Sequence, residues 1–473
     1  MRTTKEPRVS SFDPVMAELD PYCNAIVRRL PLTTREQREE GFRAAGYNPF
    51  RLPARLVTID GLSDSGTGAL STEQRAASAR ADERYASSES WDRFAAALRS
   101  MSRFEHIIPT TQGRTAESVV FSTMLKPGQF SVSNTHFDTT SANVQLAGGT
   151  AVNLPCPEFA DLDSDEPFKG NIDVAALEQL LAGPDGHRVG IVLMTITNNG
   201  GGGQPVSIAN LRATREVCRR YGVPMFLDAA RFAENAWLVT RREAEFAAAT
   251  PREVAGIEFD LADGFVISLK KDSMSPGGGA IGVRDPQLAG ALRAKVIATA
   301  GFSTYGGMTG ETLEEAARGI EESVDPAYLY ARERAAQLLA DVAQEAGVDS
   351  IRPAGLHAIY LNAGRLMRHI PQSRFPGHSL AAALYLEGGI RTSELGSLYL
   401  GELDDEFRMV KPAPFELVRV ALPRRVYTEN HLRYIGTVLA RIAKEPERWP
   451  GYRVVSAPPT LRHFEGWYDQ VRD

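Results

Sequence analysis

Val189-Gly190-Ile191-Val192-Leu193-Met194 is a short apolar run with no alternating polar position. A strand buried on both faces reads this way. Residues 206–221 follow, with Ile208, Leu211, Val217, Cys218 and Tyr221 at helical spacing. Val223 to Leu227 then reads as a second strand, closing on Asp228. Strand, helix and strand in so little chain is a crossover between parallel neighbours. An α/β fold is therefore expected, with a mostly parallel sheet covered by helices. Ligands in such sheets bind beyond the carboxyl ends of the strands, which is where Asp228 stands.

The same texture extends from about residue 105 to 285. Near its end, Gly264-Phe265-Val266-Ile267 leads into Ser268-Leu269-Lys270-Lys271-Asp272, followed by Pro276-Gly277-Gly278-Gly279 and the apolar Ala280-Ile281-Gly282-Val283. Two lysines at the end of a buried strand are unusual, because an unpaired buried cation costs several kcal/mol. A lysine that surrenders its charge in a Schiff base escapes that cost and becomes a catalyst. On these five residues alone, a solvated turn between two strands is the simpler reading. Lys271 would share a sheet rim with Asp228.

Outside this region, one helix is expected over Thr33 to Ala45, and helical patterns recur at 71–81, 89–101, 311–323 and 327–346. From 350 to 440 the pattern is α+β: strands at Ala358 to Leu361 and Val418 to Leu422, helices at Ser379 to Leu386 and Glu429 to Ala443. The organisation expected is an arm over 1–60 packing with a small domain, a large domain over 61–325, and the small domain over 326–473. At 473 residues with 43% hydrophobic and 24% charged content, the chain has ordinary globular composition. A net charge of -6 gives no reason to expect nucleic acid or an anionic membrane as partner. Cys23, Cys156 and Cys218 have neither metal-ligand nor disulfide spacing, which suits a reducing cytoplasm. No apolar run approaches the ~20 residues needed to cross a bilayer.

Pyridoxal phosphate chemistry needs four kinds of group: a lysine for the covalent link, a carboxylate for the pyridine nitrogen, N–H and hydroxyl donors for the phosphate, and a guanidinium for the substrate carboxylate. Lys271, Asp228, Thr111-Gln112-Gly113-Arg114 with Ser268, and Arg419 are candidates in that order. Each has an ordinary structural reading when taken singly: a helix cap, a turn, a sheet-edge arginine. Their joint occurrence at strand ends favours the cofactor.

Further segments sharpen this: Ser63-Asp64-Ser65-Gly66-Thr67, Asp82-Glu83-Arg84-Tyr85, Gly203-Gln204-Pro205-Val206-Ser207, Asp228 to Ala236, Thr304-Tyr305-Gly306-Gly307 and Leu422 to Thr428. With those already quoted, they make the chain resemble the tryptophanase and tyrosine phenol-lyase family of β-eliminating lyases from about Asn48 to Phe464. The resemblance implies the aspartate-aminotransferase type of pyridoxal phosphate fold (fold type I). It implies Lys271 as Schiff-base lysine and Asp228 as partner of the pyridine nitrogen. Gln112, Gly113, Arg114, Ser268 and Lys270 fall on the phosphate side. Phe137 matches the ring stacked on the cofactor, and Asn199 and Arg231 match groups near its phenolic oxygen. Arg419 matches the substrate-carboxylate clamp. Tyr85, Asp138, Tyr305 and His463 match catalytic-site positions, with Tyr85 contributed across a subunit interface. A homo-oligomer, a dimer of dimers, is thereby implied, and Glu83, Gly66 and Pro276 match positions around a potassium-like cation.

The leaving group determines what else is needed. Lys271 can remove the α-proton, but an aryl carbanion is a very poor leaving group, so the ring must first be protonated by a positioned acid. Tyr85 and Asp138 are candidates. Three features resemble the tryptophan-cleaving branch: Asp138 in Phe137-Asp138-Thr139-Thr140, His463 in Leu461-Arg462-His463-Phe464, and apolar Leu395 where phenol-lyases place an arginine. An apolar residue there would leave a phenol oxygen unpaired, at about 1–3 kcal/mol. Cleavage of tryptophan, or of a related indolyl amino acid, to the aromatic, pyruvate and ammonia is the first expectation. Elimination or substitution on a modified tyrosine or an S-substituted cysteine is the second; a non-catalytic scaffold is the third. Departures from the family pattern occur at Thr111, Thr115, Ser141 to Val144, Asn198, Gly200 to Gly203 and Leu269, all around the cofactor and substrate positions.

Overall fold

The computed structural model describes residues 20–23, 27–458 and 460–471. Two compact units emerge. One contains Ser65–Phe159 and Glu166–Arg332; the other contains Cys23–Asp64, Ala160–Asp165 and Glu333–Asp473. Of the arm expected over 1–60, residues 1–19 and 24–26 lie outside the described residues.

The first unit is built on a seven-stranded sheet: β1 (His106–Thr110), β2 (Phe130–Ser133), β3 (Thr150–Asn153), β4 (Val189–Thr195), β5 (Met225–Asp228), β6 (Gly264–Ser268) and β7 (Gly279–Val283). The spatial order is β1-β7-β6-β5-β4-β2-β3. Pairings from β6 through to β3 are parallel, whereas β7 runs antiparallel to both β6 and β1. The link from β6 to β7 is too short for a crossover helix, so the chain can only return antiparallel. The strand expected from Val223 begins at Met225, after Pro224, which has no N–H to donate to a ladder.

Both sheet faces are buried. Val192, Met194, Leu227 and Ile267 belong to one core; Ile191, Leu193, Phe226 and Val266 belong to the other. That division is the period-two geometry of a strand, and each such side chain contributes about 1.5–3 kcal/mol on burial. Helices α1 (Gly113–Met124), α2 (Asp138–Leu146), α3 (Ile208–Tyr221) and α4 (Phe232–Arg242) pack around it.

The turns after β5 and β6 are joined at the sheet's carboxyl rim. Ala229 donates its N–H to Val266 O, and Asp272 donates its own to Ala230 O at 3.3 Å. The Asp272 carboxylate, 2% exposed, accepts the N–H groups of Ala233 (2.8 Å) and Glu234 (3.0 Å). It caps α4, whose own N-cap residue, Arg231, supplies no capping side chain.

The second unit carries a three-stranded antiparallel sheet, β8 (Ala358–Asn362), β9 (Ser393–Leu395) and β10 (Leu417–Ala421), with β10 in the middle. Helices Pro376–Gly388 and Glu429–Lys444 cover it around a core that includes Leu384, Leu432 and Val418. The segment Ala160–Asp165 joins this unit, where Asp163 pairs with Arg365.

Removing the shared cap should loosen both rim turns. Asp272→Ala is expected to lower stability by about 1–2 kcal/mol, read from denaturant midpoints at constant m-value.

Candidate functional site

Lys271 lies just past β6, in a turn closed by Met274 N–H to Lys271 O (2.8 Å) and Ser275 N–H to Leu269 O (3.1 Å). Both Lys270 and Lys271 are half-buried. Asp228 ends β5 in register with Thr195 and Val266. Burial pushes its carboxyl above the usual range, opposed by the Lys271 ammonium and the Arg231 guanidinium. The pair expected at one rim is there.

Behind this rim, α1 begins at Gly113 without a side-chain cap from Gln112. A Cβ on Gly113 would come within 2.6 Å of Ser268 Cβ, and one on Gly279 within 2.4 Å of the Gln112 carbonyl carbon. Only glycine lets the start of α1 approach β6 and β7 so closely. The result is a helix N-terminus beside the Ser268 hydroxyl, an arrangement suited to phosphate. Arg114 follows in the first turn of α1. Gly306, at φ 57°, sits against the Pro109 carbonyl and so brings Tyr305 to the end of β1.

Phe137 precedes α2, and both it and Asp138 are half-buried. Asn199 and Arg231 are buried, 3% and 5% exposed. Tyr85 is 72% exposed and rests on Phe302 and Tyr305, with ring centroids 5.4 and 6.0 Å away. Gly66, at φ 68°, donates its N–H to Lys270 O and lies beside Pro276 O and the Lys270 side chain. Glu83 instead accepts the Gly310 N–H at 2.7 Å.

In the second unit, Arg419 on β10 donates to Ser393 Oγ (3.1 Å) and Leu62 O (2.9 Å). Arg424 and Asp64, from two of the motif segments, form an ion pair at 3.0 Å that is almost wholly buried. Leu395 is buried. His463 is buried too, with its ring centroid 4.6 Å from that of Tyr399, 4.1 Å from Phe464 and 5.6 Å from Phe50.

One group at the rim escaped the sequence reading. Glu117 of α1 is 7% exposed and accepts bonds from Thr140 Oγ1 (2.7 Å), Thr139 Oγ1 (3.2 Å) and Asn143 Nδ2 (3.2 Å). It thereby ties α1 to the start of α2, where Phe137 and Asp138 stand. Burial, then the Asp228 charge, pushes its carboxyl up to about 7, against the Thr140 bond and the Lys271 ammonium. The signal was available: Gly113, Ala116, Glu117, Val120 and Phe121 form one helical stripe, with an acid among apolar residues.

Residues 60–437 match the family model described as beta-eliminating lyase. The chain belongs to the β-eliminating lyase family. Similar proteins include the tryptophanases of Rhodobacter capsulatus (43% identical, covering 96% of this chain and 99% of the relative) and Hyphomonas neptunium (41%, with the same coverage). The tyrosine phenol-lyase of Symbiobacterium thermophilum is 38% identical, with 96% and 98% covered. The lyase fold resembles Leishmania major threonine aldolase (TM-score 0.55, 14% identity, covering 81% of this chain and 99% of that one). It also resembles Sphingomonas wittichii serine palmitoyltransferase (TM-score 0.56, 14% identity, 82% and 88%). These are pyridoxal phosphate enzymes of fold type I, and the lyase shares that fold. Family and fold imply pyridoxal phosphate, and the donor set fits it: lysine and half-buried carboxylate at one rim, with an uncapped helix N-terminus and a serine hydroxyl beside them.

Glu117 carries a proton in the folded lyase that an unfolded glutamate, at about 4.3, releases. Its contribution to stability is complete below that value and is lost as pH rises through about 7. Thermal unfolding of Glu117→Gln should lack that part of the wild-type decline with pH.

Proposed function

We propose that this lyase cleaves tryptophan, or a closely related indolyl amino acid, to indole, pyruvate and ammonia. The observation that carries this is the apolar, buried Leu395. A phenol hydroxyl meeting it would go unpaired, whereas an indole ring has no oxygen to satisfy. The aromatic seat of His463 supports the same reading.

Pyridoxal phosphate supplies, when bound, an electron sink for the charge formed at the substrate Cα. The chain's residues do the rest. Lys271 would hold the cofactor covalently, and its Nζ would take the α-proton. Asp228 would pair with the pyridine nitrogen. Gln112, Gly113, Arg114 and Ser268 would bind the phosphate, with the Lys270 charge close by. Phe137, Asn199 and Arg231 would complete the hold on the cofactor ring. Arg419 binds the substrate carboxylate as a planar fork. Asp138 and Tyr305, with Tyr85 from a second copy of the chain, deliver and steer the proton that the indole carbon needs before it can leave. His463 orients the ring. A role for Tyr85 in trans agrees with its exposure and requires a homo-oligomer, proposed as a dimer of dimers. A potassium-like cation near Gly66, Pro276 and Glu83 would steady the Lys270 turn.

Two substitutions test the proposal. Lys271→Ala should abolish the borohydride-sensitive visible absorption of protein loaded with pyridoxal phosphate, and pyruvate release with it. A variant that kept both would contradict the role of Lys271. Leu395→Arg should lower kcat/KM for tryptophan by about tenfold or more and raise it for tyrosine. An unchanged ratio would remove the basis for preferring indole. Replacing potassium by sodium in the same assay should weaken the visible band; no change would set the cation aside.

A further inference from the structure

Two buried glutamates flank the residue after Leu395. Glu394 is 8% exposed and accepts the N–H groups of Leu398 (3.1 Å) and Tyr399 (3.0 Å). Glu416, 4% exposed, accepts the Ser397 N–H (3.1 Å), the Ser397 hydroxyl and a Gln372 amide N–H (3.3 Å). A Cβ on Gly396 would lie 2.4 Å from Glu416 Oε2 and 2.7 Å from Glu394 Oε1. The two carboxyl groups therefore face each other across the space that a methyl would fill, and only glycine permits this.

Two such carboxylates cannot both stay ionised in a dry interior without a cation. Neither glutamate forms an ion pair among the described residues. The nearby guanidinium of Arg462 feels the Glu394 charge, but its hydrogen bonds go to the carbonyls of Leu398 (2.7 Å) and Gly401 rather than to either glutamate. The other titratable group facing Glu394 is the Tyr468 phenol, itself pushed up by burial and then by the Glu394 charge. Glu416 Oε2 is buried and receives no hydrogen bond, which leaves it the oxygen of Glu416 best placed to carry a proton.

We propose that Glu394 and Glu416 hold one proton between them, and that this pair is the clasp fixing the turn that presents Leu395 and Tyr399. Both glutamates are positioning residues. Glu394 holds the short helix Ser397–Leu400 by its first N–H groups, and Glu416 ties the same helix to β10 through Ser397. Arg462 extends the arrangement to His463, whose ring packs on Tyr399. Loss of the proton would set two like charges against each other across Gly396 and loosen the wall that reads the substrate ring. Burial, then the Glu416 charge, pushes the Glu394 carboxyl well up, and burial raises that of Glu416, in agreement with one retained proton. The effect on substrate rests on the reading of Leu395 as substrate-facing; the shared proton does not.

The test compares the full-length holoenzyme with Glu416→Gln by infrared difference spectroscopy at neutral pH, and measures kcat and KM as pH is raised. A shared proton predicts a carboxylic-acid carbonyl band in the wild type that is missing from the variant. The clasp predicts a wild-type KM that climbs several-fold toward alkaline pH at nearly constant kcat, and a flatter KM in Glu416→Gln, whose amide cannot ionise. If no such band is lost, the shared proton is overturned, whatever the substrate proves to be. If the band is lost but KM follows pH identically in both proteins, the positioning role is overturned. Because the band is read without substrate, failure of the indole reading leaves it interpretable.

Discussion

The rim of the large sheet depends on the carboxylate of Asp272. It accepts two N–H groups at the start of α4, while its own N–H bonds to Ala230. A buried carboxylate facing a helix N-terminus is held by charge and dipole together, in surroundings where water does little to weaken either. Lys271 is its chain neighbour, and Asp228 lies just before the helix it caps. Backbone hydrogen bonds and the Asp272 cap thus tie together the two turns that carry these groups.

Carboxyls raised by burial recur in both units of this lyase. Asp228 and Glu117 are raised by burial at the rim, and Glu394 and Glu416 beside Leu395 in the second unit. They differ in what balances them. Asp228 faces Lys271 and Arg231, the setting of a carboxylate ready to pair with a cation. Glu117 accepts bonds from hydroxyls and an amide, which favour its charge, yet burial and the Asp228 charge outweigh them. Such divergent environments give groups of one chemical type different tasks.

The large domain was legible because its strands are buried on both faces and read as unbroken apolar runs around helices of regular period. The antiparallel position of β7 was not legible, since periodicity carries no direction; it follows from the short link after β6. Lys271 and Asp228 could be placed at one rim from strand ends alone. Their fuller assignment, with Phe137, Asn199 and Arg231, came from resemblance to the family. Glu117 was hidden among helix formers in a segment read for its Gln-Gly-Arg. The seat of His463 depends on Phe50 and Tyr399, which are remote in sequence, and no local pattern announces such contacts. Asp272 was quoted within its motif, yet its role as the cap of α4 emerges only once the two turns are seen side by side.

The family defines a reaction type, whereas the proposal about what the reaction expels rests on Leu395 and His463. The most direct measurement gives purified lyase, loaded with pyridoxal phosphate, tryptophan, tyrosine and an S-alkyl cysteine in separate assays at equal concentration. Pyruvate and the released group are followed in each. The account predicts indole and pyruvate in equal amounts from tryptophan, with kcat/KM well above that for tyrosine. Tyrosine cleaved as fast as tryptophan, or tryptophan left intact while the cysteine derivative turns over, would contradict it.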